Sequence, residues 1–515
     1  MVGTEPRPLR LAELLASVSL ATDLGTGQPP GHALRTCAIA SALAEALDCG
    51  PEDVRTVQQF ALLRFLGCTS DAAETAALVG GDDLAFNAAM APVVMGSSRE
   101  AIGRFVRSVG VGERPVRRVG LVARAALAGL RHGNESLATH CEVGATLAAR
   151  AGLAAPVVDA LAHAYERWDG KGSPEGLAGN AIPAAVRIVV VAKDVDLATT
   201  LGGDPRELLV ERRGRAYDPA VVDAYDRVAP PLLATLASTD EWETALGAEP
   251  APVATVAPGS LDAVLAAFAD FADVKSPWIR GHSRRVAALA EAAGRLAGLD
   301  DPACDDLRRA GLVHDVGRVA VENGVWDKPG PLTTAEWERV RLHAYATERV
   351  LARCASLESL VQIASSHHER VDGSGYHRSL GAEALSPSAR ILAAADVFAA
   401  LTAERPHRPA HTAAAAARIL ESETSGLDPD AAACVLAAAG SREAPSPAGW
   451  PASLTDREVE VLRLLARGRT NRQVAKQLVI SPKTVGRHVE NVYGKIGVSS
   501  RAAAAVFAME HRLLE

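Results

Sequence analysis

Along most of this chain apolar residues recur at i, i+3, i+4 and i+7, the spacing that lines one face of an α-helix. Val286–Leu296 and Ala346–Leu357 show it clearly. Strand-like alternation is absent outside short apolar runs such as Ile188–Ala192. The pattern predicts an all-α protein, and the abundance of alanine, the best helix former, agrees. No apolar run approaches the roughly 18 residues that span a bilayer. Met1–Leu20 lacks the apolar stretch and cleavage site of a secretory signal, so a cytoplasmic protein with no membrane contact is expected.

The periodicity lapses twice, in GAEPAPVATVAPGS (Gly247–Ser260) and SREAPSPAGWP (Ser441–Pro451), both rich in Pro, Ala and Gly. They mark domains at 1–245, 261–440 and 453–515, joined by linkers at 246–260 and 441–452. At roughly 100–200 residues per domain, a chain of 515 residues fits three.

The first two domains repeat each other. Gly31-His32 with Arg35 matches Gly281-His282 with Arg285, and LRFLG (Leu63–Gly67) matches VHDVG (Val313–Gly317), both at an offset of 250 residues. His140 matches His343, ERWDGKG (Glu166–Gly172) matches ERVDGSG (Glu369–Gly375), and Arg187-Ile188 matches Arg390-Ile391, all at an offset of 203. The change of offset places 47 extra residues in the first copy between Arg64 and His140. The whole reads as a duplication.

Composition refines this picture. The seven cysteines are odd in number, scattered and without a CxxC, so they read as reduced thiols and not as disulfides or a zinc site. Histidine is more telling, because eight of the 14 fall between His282 and His411. His282, His314-Asp315, His343, His367-His368 and Asp396 are separated by gaps of 32, 29, 24 and 29 residues. Each gap is about one helix and a turn, so packed helices can each aim a ligand at one centre. So many His/Asp donors exceed one tetrahedral zinc and suit two divalent ions with N/O ligands, iron or manganese. Asp396 follows the apolar run Ile391–Ala395, where a buried carboxylate needs a cationic partner.

GHSRRV, LVHDVGR, RLHAYATERVL, HHERVDGSGY and RILAAADVF resemble the five motifs of the HD-GYP branch of HD-domain phosphohydrolases, over residues 261–440. The resemblance implies tandem helical HD-domain bundles and a binuclear metal centre. It implies hydrolysis of a cyclic dinucleotide, cyclic di-GMP being the family's usual substrate. Carried over residue by residue, it makes His282, His314, Asp315, His343, His367, His368 and Asp396 metal ligands, with Asp315 bridging. Asp315 and Arg318 would be catalytic, and Arg318, Asp372, Gly373, Gly375 and Tyr376 would meet substrate. Two cations there would acidify a water for in-line attack on phosphorus. Three positions depart from the family. Arg318 stands where a Lys is usual, His377 replaces the terminal Pro of the GYP signature, and Trp278 occupies the place of a Glu that holds a third metal in some relatives. Two metals are therefore expected.

In the first copy the HD pair has become Arg64-Phe65, the HH pair Ala164-Tyr165 and the late aspartate Lys193. His32 and His140 remain, two imidazoles that the sequence leaves without carboxylates. A non-catalytic domain with a structural or sensory role is expected.

Net charge changes the view of the C-terminus. The chain carries −8 overall, which disfavours nucleic-acid binding. Residues 451–515 alone hold 11 Lys+Arg and six Asp+Glu, a net of +5. Thr455–Glu458 and Thr470–Gln473 are capping boxes, and Ser481-Pro482 is an N-cap followed by proline. Leu462, Leu465, Val474, Leu478, Val485 and Val489 supply a small core, and two short helices form a helix-turn-helix. The third helix of the module exposes Lys483, Thr484, Arg487, His488, Asn491 and Lys495. Thr484, Arg487 and Asn491 would face the major groove of double-stranded DNA, with Lys483 and Lys495 on phosphates and His488 half in the core. The segment from Leu454 to Val498 resembles the LuxR-type DNA-binding domain. That implies a fourth helix near Arg501–Leu514, transcriptional regulation, and a homodimer on a two-fold site.

Two functions from different classes follow. One is a metal phosphodiesterase joined to a transcription factor. The alternative is a ligand-sensing LuxR-type transcription factor whose HD-GYP fold binds without cleaving.

Overall fold

The protein is described from a computed structural model covering residues 9–93, 98–257, 259–422, 426–441 and 450–514. Among these residues the secondary structure is helical, with isolated bridges and no strand. The chain divides into two compact units, Met1–Val264 with Cys354–Ser356, and Leu265–Arg353 with Leu357–Glu515.

The first copy runs through α1 (Leu11–Thr26), α2 (His32–Ala46), α3 (Pro51–Leu63), α4 (Ala72–Val79), α5 (Asp83–Met90), α6 (Ser98–Ser108) and α7 (Pro115–Arg150). It continues through α8 (Ala155–Ala162), α9 (Ala184–Thr200), α10 (Pro205–Arg212), α11 (Pro219–Ser238) and α12 (Glu241–Gly247). The second copy comprises α13 (Leu261–Val274), α14 (His282–Leu296), α15 (Asp301–Val313), α16 (Asn323–Trp326), α17 (Thr334–Leu351), α18 (Glu358–Ser365), α19 (Pro387–Leu401), α20 (Ala413–Leu420) and α21 (Pro429–Ser441). The C-terminal module holds α22 (Asp456–Ala466), α23 (Asn471–Leu478), α24 (Pro482–Ile496) and α25 (Arg501–Glu510).

The repeat is visible element by element. α2 and α14 each begin directly after a glycine of positive φ, +74° at Gly31 and +77° at Gly281. α8 corresponds to α18 and α9 to α19 at the offset of 203 expected from sequence. The extra 47 residues fall among α4, α5, α6 and the N-terminal part of α7, which is 36 residues long. Both copies also share one close approach. A Cβ on Gly317 would sit 2.3 Å from the His343 carbonyl oxygen, and one on Gly67 would sit 1.9 Å from that of His140. Glycine at these points lets the turn after α15, or after α3, press against the histidine-bearing helix.

Core formation follows the apolar stripes. Val286, Ala290, Leu307, Val313 and Leu392, on α14, α15 and α19, are at most 0% exposed. Burying each such Leu or Val is worth roughly 1.5–3 kcal/mol, which fixes the helices that carry the histidines. The periodic stretch Ala346–Leu357 is not one helix. α17 stops at Leu351, and Ala355–Leu357 forms a 3-10 turn, because the chain reverses there to bring α18 back along α17. Ile188–Ala192 lies inside helix α9.

Of the two Pro/Ala/Gly-rich stretches, the first is tied down. Leu11 N–H donates to Ala254 O at 2.9 Å, Val256 N–H to Leu9 O at 2.8 Å, and Arg10 pairs with Glu249 at 2.6 Å. Most of Ser441–Pro451 lies outside the described residues. All seven cysteines are free thiols. No helix among the described residues is long and apolar enough to cross a membrane.

Candidate metal centre and nucleic-acid interface

Three imidazoles of the second copy are oriented by one device. His314, His343 and His367 each turn Nδ1 toward the carbonyl oxygen three residues earlier, on Gly311, Val340 and Ala364. A carbonyl can only accept, so Nδ1 carries a proton, and in the neutral ring Nε2 is left as a lone pair facing inward. The lone pairs converge: His343 Nε2 lies 3.1 Å from His367 Nε2. His282 reaches the same place from the first turn of α14, with Nε2 at 3.0 Å from Asp396 Oδ1 on α19.

The donors form two groups. His343, His367 and His368 make one, His282, His314 and Asp315 the other, and within each group the ligand atoms lie within 4.8 Å of one another. Asp315 stands between them with its oxygens divided. Oδ1 is 3.4 Å from His343 Nε2 and 3.6 Å from His367 Nε2, while Oδ2 is 3.8 Å from His314 Nε2. Asp396 joins the second group, 3.8 Å from His314 as well as 3.0 Å from His282.

Protonation suits cation binding. Burial pushes His282 and His343 down to about 4, and it lowers His314 and holds His368 well below its ordinary value. These rings are neutral at ordinary pH. His367 goes the other way, because the hydrogen bond and charge of Asp315 outweigh its burial. Asp315 and Asp396 stay ionised, since the surrounding imidazoles overcome the cost of burial. His314 Nε2 is buried without a hydrogen-bond partner. Neutral imidazole lone pairs, two carboxylates and an orphaned inward Nε2 fit two cations with N/O ligands.

Other residues around the centre hold it in shape. Arg318 lies flat on Trp326, 3.5 Å from the ring centroid, with Nη1 3.4 Å from Asp315 Oδ2. Tyr376 stacks on His368 at 4.7 Å. Trp278, in the loop before α14, accepts a hydrogen bond at its carbonyl oxygen from Arg405 at 3.3 Å.

Asp372, Gly373 and Gly375, expected to meet substrate, also shape the turn that follows the His367-His368 pair. Asp372 is exposed and accepts the Ser374 N–H at 2.9 Å, and Gly373 supplies a φ of +77° to the same turn. Gly375 has no room for a side chain, since a Cβ would lie 2.4 Å from Glu369 Cα. The turn is gathered by Glu369, a buried carboxylate that accepts N–H groups from Arg378 at 2.7 Å and Leu380 at 2.9 Å. Glu166 does the same in the first copy, for Glu175 and Gly176. Sequence reading missed these two glutamates, although each opens the repeated segment. It also missed Arg405, a half-buried arginine in an irregular segment with no periodic signal.

The first copy holds no comparable donor group among the described residues. Its two remaining histidines do have carboxylates, contrary to expectation. His32 pairs with Asp196 at 2.6 Å and His140 with Asp71 at 2.9 Å. Asp196 sits one turn along α9 from Lys193, and Asp71 lies in the inserted region, so neither aligns with a ligand of the second copy.

In the C-terminal module both capping boxes and the Ser481 cap are present. Val461, Leu464, Leu465, Val474, Ala475 and Val485 form its core, with Leu478, Ile480 and Val489 packed against it. The fourth helix, α25, ends at Glu510. Lys483, Thr484, Arg487 and Asn491 are exposed on α24, and His488 is half-buried. Lys495, expected on phosphate, is exposed and already has partners within the module. Its Nζ pairs with Glu458 at 2.7 Å and donates to Ser453 O at 3.0 Å, because the capping carboxylate of α22 lies within its reach.

Comparison with known proteins fits this geometry. A family described as "HD domain" matches residues 134–221 and 266–431, thereby touching both copies, and one described as "Bacterial regulatory proteins, luxR family" matches 452–508. A 3'3'-cGAMP-specific phosphodiesterase of Vibrio cholerae is 32% identical over 427 residues, covering 82% of this chain and 92% of that protein. A cyclic di-GMP phosphodiesterase of Pseudomonas aeruginosa is 38% identical over 160 residues, 31% of this chain and 39% of that protein. A crystal structure of a cyclic GMP-AMP-specific phosphodiesterase from Vibrio cholerae superposes with a TM-score of 0.60 at 29% identity, covering 85% of this chain and 99% of that one.

Proposed function

This chain belongs to the HD-GYP branch of the HD-domain phosphohydrolases and carries a LuxR-type DNA-binding domain, and from that premise we propose that it is a metal-dependent phosphodiesterase that opens a cyclic dinucleotide and also regulates transcription. The observation that carries the enzymatic half is the division of the Asp315 carboxylate, one oxygen toward each group of histidines. That is the disposition of a carboxylate shared by two cations.

His343, His367 and His368 would hold one divalent ion, His282, His314 and Asp396 the other, and Asp315 both; iron or manganese suits these donors. The pair of ions would supply Lewis acidity at phosphorus and acidify a bound water. The remaining work belongs to side chains. Arg318, immobilised on Trp326, presents a fixed guanidinium fork to a phosphate oxygen. Such a fork contributes positioning and charge, not proton transfer. Tyr376 keeps its phenolic proton, since burial raises its pKa, and it faces the site as a donor.

Substrate choice is open to both cyclic di-GMP, the usual family substrate, and 3'3'-cGAMP, which the relative covering most of this chain cleaves by name. The protein loaded with iron or manganese is incubated with each, and linear product is followed by chromatography. Turnover of either supports the enzyme. Bound metal with no turnover favours the second reading, a ligand-sensing transcription factor, for which Arg318 in place of the usual Lys is the specific observation.

For the DNA-binding half, Thr484, Arg487 and Asn491 on α24 would read bases and Lys483 would touch phosphate. One such module covers few base pairs, so a homodimer on a two-fold site is proposed, at work on DNA in the cytoplasm. Selection of bound sequences from a random pool tests it, with a palindromic site as the expected result.

A further inference from the structure

We propose that the cavity of the first copy is a binding site for a small organic anion carrying one ring-sized apolar body. It lies where the second copy gathers its histidines, and cationic side chains stand at two of the ligand positions. Arg64 stands in the place of His314, Lys193 in that of Asp396, and Ala164 and Tyr165 in those of His367 and His368. Donors suited to holding cations have become cations suited to holding an anion.

The cavity measures about 160 Å³ and is walled mainly by apolar groups, among them Phe65, Met90, Val93 and Leu137. An apolar cavity of about 150 Å³ accepts benzene, so a single ring fits and a cyclic dinucleotide does not. Three side chains of permanent or near-permanent positive charge line this space: Arg64, Arg167 and Lys193. The Asp194 carboxylate is already divided, with Oδ1 2.6 Å from Lys193, and Oδ2 bonded to the Tyr217 hydroxyl at 2.5 Å and to Arg212 at 3.3 Å. His140 is balanced by Asp71, and Arg167 by Asp169. Glu166 turns Oε1 to the amides of its loop.

Among the described residues that line the cavity, Arg64 is thus the cation without a carboxylate. It is 7% exposed, uses Nη1 on the Ala164 carbonyl at 2.6 Å, and its buried Nε has no hydrogen-bond partner. The aromatic faces of Phe65 and Tyr165 flank it at 5.8 Å and 5.4 Å. A buried guanidinium with open donors beside an apolar space recognises a carboxylate or a similar oxyanion.

The test uses benzoate as the probe and benzamide as its neutral counterpart, with the full-length protein and binding read by ligand-observed NMR and calorimetry. Saturable benzoate binding is expected, with benzamide at least about tenfold weaker. Arg64→Gln should bring benzoate to the benzamide level. Ala164→Met, which fills the space without touching a charge, should abolish binding of both. Asp315→Ala, which disrupts the metal centre of the second copy, should leave binding unchanged. The proposal is overturned by equal binding of the two probes, by the absence of saturable benzoate binding, or by loss in Asp315→Ala with retention in Arg64→Gln. Should Arg64→Gln fail to fold, the probe ratio and Ala164→Met still decide.

Discussion

His282 Nε2 lies 3.0 Å from Asp396 Oδ1, although 114 residues separate them in sequence. The contact joins the first turn of α14 to the middle of α19, buried beside His314. A neutral imidazole beside an ionised carboxylate is a donor set suited to a cation. Asp396→Asn keeps the shape and removes the charge. Metal content measured on the purified protein should fall from two ions per chain toward one, and turnover of the cyclic dinucleotide should drop by more than about a hundredfold. Unchanged metal content would remove Asp396 from the ligand set.

Arg318 tests how substrate is gripped. Its guanidinium is fixed by Trp326 below and Asp315 beside it. Arg318→Met should lower kcat/KM by about tenfold to a hundredfold, the worth of a charge-assisted phosphate contact. Trp326→Leu leaves the charge and loses the platform, so a smaller decrease, about fivefold, is expected. If both variants match the wild type, Arg318 plays no part in binding substrate.

Two basic residues of α24 should behave differently. Arg487 is exposed and unengaged by any carboxylate contact described above, while Lys495 is committed to Glu458 and Ser453. Arg487→Ala should weaken specific DNA binding by about 1–3 kcal/mol and relax the sequence preference. Lys495→Ala should leave the salt dependence of DNA binding intact and lower the stability of the module by up to about 1 kcal/mol. The readouts are binding titrations at several salt concentrations and thermal melting. A drop of about one unit in the salt slope for Lys495→Ala would return that lysine to the phosphate contacts.

Much of this was legible in the residues because the second copy and the C-terminal module obey local rules. Capping boxes at Thr455 and Thr470 are written in four adjacent residues, and the ligand histidines come in motifs separated by a helix length. What stayed hidden depends on long-range partners. The turn-gathering role of Glu369 appears only when residues nine and eleven positions away fold back onto it. The pairing of Lys495 depends on Glu458, 37 residues earlier. Asp71 and Asp196 could not be matched to His140 and His32 because neither has a counterpart among the second copy's ligands and each partner lies far off in sequence.

Val479 carries the turn between α23 and α24 with φ +55° and ψ +47°, a left-handed conformation that a β-branched residue rarely adopts. It is 89% exposed, so no packing offsets the strain. Val479→Gly should stabilise the module by about 1 kcal/mol, visible as a raised melting temperature with DNA affinity unchanged. A lower melting temperature would show that the valine side chain contributes more than its backbone costs.

The His140–Asp71 pair makes stability of the first unit depend on pH. Burial alone would push His140 toward neutrality, but the charge and hydrogen bond of Asp71 at 2.9 Å outweigh it and hold the imidazole well above its ordinary pKa of about 6.5. The folded state therefore keeps a proton that the unfolded chain releases as pH passes about 6.5. The contribution is fully present below that pH and is lost as pH rises through the higher folded value. Asp71 is lowered in turn, its burial being overcome by His140, so its share is present above the ordinary carboxylate range and is lost only in acid. Asp71→Asn should lower the melting temperature most near pH 6, with about 2–4 °C for each 1 kcal/mol lost, and the gap to wild type should narrow in alkaline buffer. A gap that stays constant from pH 6 to strongly alkaline solution would mean that His140 is neutral in the folded protein and that the contact is an ordinary hydrogen bond.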